Sequence, residues 1–144
     1  MKKILVSTGL SLLLMGCVGA YVGGSAVKKN ISGPKEIMVL TGADAVTNVI
    51  TRDLRQREIM VSVLPPSVQT EITPRYGLSV SWKTWDRCLG GGYAFNYITV
   101  ELYDLDTNDL AYTRSRSGYS EDYPPLSGTI FQDFANDISS MFTS

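Results

Sequence analysis

The chain of 144 residues contains no histidine. That absence excludes Ser-His and Cys-His nucleophilic pairs and every metal site built on imidazole ligands. Cysteine occurs only twice, at Cys17 and Cys88, so any activated thiol would have to work without a neighbouring imidazole. Long hydrophobic runs are missing as well. The longest, Ile4 to Met15, has 12 residues, short of the about 20 that a permanent membrane-spanning helix needs. There is no dense basic cluster. Lys28-Lys29 stand apart from Arg52, Arg55 and Arg57, which leaves no footprint for a nucleic acid. The three arginines fall at the end of an expected helix, where cations suit the dipole. No internal repeat is visible, and the length fits one domain.

What is present begins with a leader. Met1-Lys2-Lys3 is a positive n-region and Ile4–Met15 an apolar h-region, which together read as a cleaved secretory signal. At its end, Leu14-Met15-Gly16-Cys17 resembles the lipobox of bacterial lipoproteins, with Leu three residues before the Cys and a small residue directly before it. The resemblance implies removal of residues 1–16, acylation of Cys17, and a membrane anchor in which each buried CH₂ contributes about 0.8 kcal/mol. Val18 in place of Asp implies sorting to the outer membrane, with the domain facing the periplasm. The remaining chain carries 11 basic and 14 acidic side chains, net −3. Two rivals stand beside this reading. Cleavage after Val18-Gly19-Ala20 would release a soluble periplasmic protein, and a Cys17–Cys88 disulfide would exclude lipidation.

Residues 17–35 are small, contain Gly and Ser, and lack helical or strand period, so they read as a lipidated Cys followed by a flexible tether. A single domain is expected over 36–144. Glu36-Ile-Met-Val-Leu40 is a first strand, and Thr41-Gly-Ala-Asp44 reads as a helix N-terminus. Val46, Val49, Ile50 and Leu54 then repeat at helical spacing, and Ile59–Leu64 is a second strand, stopped by Pro65-Pro66. Strand, helix, strand with short links is a βαβ unit, so these strands should be parallel. Leu78, Val80 and Trp82, then Ile98, Val100 and Leu102, alternate with polar neighbours. After a turn at Asp104–Asp109 the chain returns over Leu110–Arg116, giving an antiparallel meander. A last helix is expected, capped by Ser127 or Thr129, with Thr129 and Gln132 fitting a capping box. Phe131, Phe134, Ala135, Ile138, Met141 and Phe142 form its stripe, with Asp133, Asn136 and Asp137 facing out.

The fold class is therefore α+β, a βαβββα two-layer sandwich with a five-stranded mixed sheet and two helices on one face. This order resembles small bacterial outer-membrane lipoproteins with a TolB N-terminal-like (anticodon-binding-like) domain. The residues that carry the resemblance are Ser79-Val-Ser-Trp82 with Trp85-Asp86, Ile98-Thr-Val-Glu-Leu-Tyr-Asp104, Leu110-Ala-Tyr112 and Met141-Phe142. It spans about residues 36–142 and implies architecture more than function. Relatives of this fold include envelope-assembly partners and regulators of cell-wall synthases.

No catalytic constellation, metal site or cofactor site emerges. Asp104-Leu-Asp106-Thr-Asn108-Asp109 begins like a calcium loop, but Gly at the sixth position and Glu at the twelfth are replaced by Asp109 and Ser115, so a turn is the better reading. Gly90-Gly91-Gly92 precedes a strand instead of a phosphate-binding helix N-terminus. Cys88 reads as a buried or incidental thiol. Alternation places Trp85, Phe95, Tyr97 and Tyr103 on the sheet face opposite the helices, either as an aromatic surface for an envelope protein partner or as a face covered by the 65–76 loop, the tether or a second copy. The leading expectation is a non-enzymatic binding or assembly accessory. The alternatives are a small cell-wall hydrolase using carboxylates such as Asp86 or Glu101, and a structural homo-oligomer paired through strand edges.

Overall fold

The computed structural model describes residues 22–23, 27–63, 74–87, 92–120, 126 and 128–142. Two short strands, β1 (Val22–Gly23) and β2 (Val27–Lys28), precede the element order expected from the sequence. That order follows as β3 (Glu36–Val39), α1 (Ala45–Arg55), β4 (Met60–Val63), β5 (Tyr76–Arg87), β6 (Tyr93–Asp104), β7 (Asp109–Tyr119) and α2 (Thr129–Ser139). One mixed sheet runs β1-β7-β6-β5-β3-β4, with β2 also paired to β7. β3 is parallel to both β4 and β5, and β5, β6 and β7 form the antiparallel meander. The fold is the expected α+β sandwich, with seven strands described where five were predicted.

Both helices pack on one face of the sheet. Val46, Ile50 and Leu54 of α1 and Ile130, Phe131, Phe134, Ala135 and Ile138 of α2 are buried against Ile37, Val39, Leu78, Val80, Ile98, Val100 and Leu102. Burying each large side chain contributes about 1.5–3 kcal/mol before chain entropy is counted. The N-cap of α1 is Asp44, not Thr41. Asp44 Oδ1 accepts from the Thr47 backbone N–H at 2.8 Å, and Oδ2 accepts from the Thr47 hydroxyl at 3.0 Å. Thr41 instead accepts from the Val80 N–H through its hydroxyl at 3.3 Å. The cap of α2 also departs from the capping box. Gly128 occupies the N-cap with φ 109°, a backbone state that suits glycine, and no side chain caps the helix.

The N-terminal segment corrects the expectation of a tether reaching residue 35. β1 and β2 lie antiparallel along β7, and the Lys29 N–H donates to the Ala111 carbonyl at 3.0 Å. Ile31 is buried, its N–H donates to the Met141 carbonyl at 2.9 Å, and the Tyr76 hydroxyl donates to the Ser32 carbonyl at 3.1 Å. Lys28 Nζ donates to the Ser140 hydroxyl. These residues hold the end of α2 to the sheet. They were missed because two-residue strands carry no readable period.

The two sheet edges differ. β7 is covered by β1 and β2, whereas β4 has no strand beyond it among the described residues. On β4, Met60 is 63% and Val63 39% exposed. Arg55 Nη2 donates to the Val61 carbonyl at 2.9 Å, so one edge acceptor is already satisfied by a charged side chain.

Candidate functional site

The predicted aromatic surface is only partly assembled. Phe95 points into the core, 2% exposed, with its ring 5.9 Å from Phe131 and 6.1 Å from Trp82, both edge-to-face. The cause is a change of phase. The β5–β6 register shifts around Thr84, and the β6–β7 register shifts between Phe95 and Ile98. Irregularities of this kind break strict alternation, so Phe95 and Ile98 share the helix side although their positions differ by three, an odd step. Tyr97 stays on the outer face and is 40% exposed. Tyr103 is half-buried there, and its hydroxyl donates to Glu101 Oε2 at 3.0 Å. That hydrogen bond is the main reason its phenol is pushed above the ordinary range, with burial second. The Trp85 backbone lies in β5, while its side chain, like that of Asp86, lies outside the described residues, as do Cys17 and Cys88.

Beside Tyr97 and Tyr103 the outer face is lined with hydroxyls. Ser79 and Ser81 on β5, Thr99 on β6, and Thr113 and Ser115 on β7 follow the register across three strands. The Thr99 hydroxyl donates to Ser115 Oγ at 2.9 Å. The face continues over β3 and changes character there. Leu40 and Leu105 lie over Gly77, so close that a Cβ at that position would meet their methyl carbons at 2.7 and 2.9 Å.

A separate concavity of about 260 Å³ lies between the 29–32 segment and the β6–β7 turn. Lys29, Arg75, Asp104 and Asp109 line it with both signs of charge, joined by Asn30 and Thr107. Arg75 donates from Nε at 3.0 Å and Nη2 at 2.7 Å to the same Asp104 oxygen, and its guanidinium lies 5.6 Å from the Tyr76 ring centre. The Arg75 hydrogen bond holds the Asp104 carboxyl below the usual carboxylate range, against the smaller effect of burial. Asp104 is therefore held as an anion near neutral pH. The calcium-like stretch is a turn, as expected, with Asn108 at φ 59° and Asp106 N–H donating to Asp104 Oδ1 at 3.0 Å. Among the described residues no group of three or more Cys, Asp and Glu side chains is placed to hold a metal ion.

The least expected polar cluster ties α2 to the sheet. Arg114 and Arg116 stand on the helix side of β7, opposite Val100 and Ile98. Arg114 Nη1 reaches Asp137 Oδ2 at 2.5 Å, and Arg116 Nη1 reaches Asp133 Oδ2 at 2.6 Å. The fully buried Tyr112 also donates its hydroxyl to Asp137 at 3.0 Å. Burial, then the Asp137 charge, pushes that phenol far above its ordinary range. For Arg114, burial is the largest single influence and lowers the pKa, but the bond to Asp137 together with the charges of Asp137, Tyr112 and Asp133 outweighs it, so the net shift is upward. Asp133 and Asp137 therefore face the β7 arginines from the flank of α2 and do not simply face out. The signal was available in spacing. Residues four apart on a helix are about 6 Å apart, close to the about 6.8 Å between residues two apart on a strand.

The described site is thus that of an α+β sandwich with a hydroxyl-lined open face, a mixed-charge concavity and no described acid–base pair. No family model and no curated protein sequence matches the chain. Among solved structures it is similar to PelC from Paraburkholderia phytofirmans, a dodecamer. One crystal form, of a single-substitution variant, aligns with TM-score 0.55 at 16% identity, covering 85% of this chain and 97% of that one. A second form gives TM-score 0.50 at 14% identity, covering 85% and 94%. TolB from Acinetobacter baumannii aligns at TM-score 0.40 and 10% identity over 30% of its length. The PelC likeness shows a shared fold. Among the described residues no helix is long and apolar enough to cross a membrane.

Proposed function

We propose that this chain is a bacterial lipoprotein, anchored in the outer membrane through acyl chains on Cys17, whose periplasmic domain is a non-enzymatic binding or assembly accessory. The observation that carries the reading is Leu14-Met15-Gly16-Cys17 at the end of the apolar leader. The non-enzymatic part is supported by how the described carboxylates are used. Asp104, Asp133 and Asp137 are held by arginines, and Glu101 accepts from Tyr103. Replacing Cys17 by Ser is expected to abolish incorporation of labelled palmitate and move the protein from outer-membrane to soluble periplasmic fractions. Persistent labelling would remove the anchor, and with it the placement. Release of muropeptides from purified peptidoglycan by the wild-type protein would restore the hydrolase alternative.

A second reading, self-assembly, is favoured by the fold shared with a dodecameric protein and by the exposed Met60 and Val63 on the open β4 edge. Sedimentation equilibrium of residues 17–144 at several concentrations tests it, and a constant monomer mass would exclude it. For a protein partner, Tyr97 is the exposed aromatic group of the expected surface among the described side chains. Tyr97→Ala is expected to reduce recovery of crosslinked envelope proteins while leaving thermal stability within about 0.5 kcal/mol, as for ordinary surface positions.

A further inference from the structure

The lipid-anchored reading leaves open how the domain stands on the membrane, and the N-terminal strands limit the answer. Cys17 precedes Val22, the first residue of β1, by five positions. Fully extended, five residues reach about 17–18 Å. β1 is antiparallel to β7, with Val22 opposite Ser117 and Gly23 opposite Arg116, and β2 continues the same way, with Val27 opposite Thr113 and Lys28 opposite Tyr112. The chain thus enters at the Tyr119 end of β7 and leaves at its Ala111 end. A lipid on Cys17 lies within that short reach of the Tyr119 end.

We propose that the domain stands end-on, with the sheet end formed by the start of β6, the close of β7 and the start of α2 held against the lipid surface. The opposite end, with the concavity of Lys29, Arg75, Asp104 and Asp109, is presented outward. This rests on acylation of Cys17. The ten residue steps of β7 span about 34 Å, so the outward end stands roughly that much farther from the bilayer. The near end carries two half-buried tyrosines, Tyr93 and Tyr119, and tyrosine suits the polar boundary of a membrane because its ring is apolar and its hydroxyl wet. The antiparallel alignment of α2 with β7, set by the Arg116–Asp133 and Arg114–Asp137 pairs, brings the exposed Thr129 to the same end. The exposed Thr107 marks the other.

The test uses the full lipidated chain in vesicles of phosphatidylethanolamine and phosphatidylglycerol that contain a headgroup-linked acceptor dye. In a Cys88→Ser background, a donor is attached at Thr129→Cys or at Thr107→Cys. Energy transfer is expected to be about twofold or more stronger from position 129 than from 107, and Asn96→Cys supplies a second near-end probe should Thr129→Cys not fold. Insertion of about 20 Gly and Ser residues after Cys17 should bring the two ends toward equal transfer, because such a linker spans about 25 Å on average. Equal transfer in the short-linker protein, or stronger transfer from 107, overturns the orientation while leaving the anchor in place. Absence of palmitate on Cys17 overturns both.

Discussion

The two faces of the sheet are made from the same three long strands and have opposite chemistry. On the helix side, Leu78, Val80, Ile98, Val100 and Leu102 are 4% exposed or less. Across the pleat, Ser79, Ser81, Thr99, Glu101, Thr113 and Ser115 present hydroxyls and a carboxylate. The contrast is not simply one of apolar against polar. The helix side also holds two arginines, at positions 114 and 116, with Asp137 and Asp133 lowered onto them from α2. The covered face therefore tolerates charge where a partner arrives with matching pitch, and it uses that charge to fix the register of a helix. The outer face has a lateral bond between Thr99 and Ser115 but no comparable restraint from a second layer among the described residues.

Phe95 tests this contrast most directly, because strict alternation places it on the outer face and the structure places it in the core. Phe95→Ala is expected to cost about 3–5 kcal/mol in chemical denaturation, the range for a buried aromatic. A change under about 0.5 kcal/mol would return it to the outer face. Asp137→Ala should come next, at about 2–3 kcal/mol. That value lies between the small worth of exposed pairs and the larger loss when a buried charge is stranded, because Arg114 and Asp137 are 19% and 24% exposed. Asp137→Ala with Arg114→Met should recover part of the loss, and a strictly additive double variant would show that the two groups do not act together. Thr99→Val on the outer face removes one hydroxyl contact and should cost less than about 1 kcal/mol.

The smallest effect expected is a titration shift at the turn. Asp104 is stabilised as an anion by Arg75, so its folded-state pKa lies below its unfolded value. The contribution is present above about pH 4 and fades as the pH falls through the folded pKa. Carboxyl carbon resonances of Asp104 should titrate below the usual range in the wild type and move up toward it in Arg75→Ala. An unchanged midpoint would show that the pair does not hold in solution.

Much of the architecture was legible in the chain because helical and strand periods are local. Val46, Ile50 and Leu54, and Phe131, Phe134 and Ile138, declare their helices from spacing alone, and the strand-helix-strand order dictates the parallel pair. Three features were not legible, each for a distinct reason. The fate of Phe95 depends on register with two neighbouring strands, which no single strand encodes. β1 and β2 are too short to show a period, and they gain their order from the edge of β7. The Arg114 and Arg116 row resembles an exposed polar strand until Asp133 and Asp137, some twenty residues later, are seen to match it in pitch. Of the candidate site, the turn at 104–109 and the exposed Tyr97 were readable. The concavity was not, since one of its walls is the 29–32 segment, which carries no helical or strand period.

The occupied edge of β7 also sets a rule of symmetry. With that edge taken up by the two-residue strands β1 and β2, the longest unpaired strand edge among the described residues is that of β4. Two copies joined there would meet β4 to β4 about a two-fold axis, and the union would use up the open edge of both. Strand addition at β4 therefore closes at a pair. A ring with more members would have to be built through other surfaces, leaving the seams between strands intact.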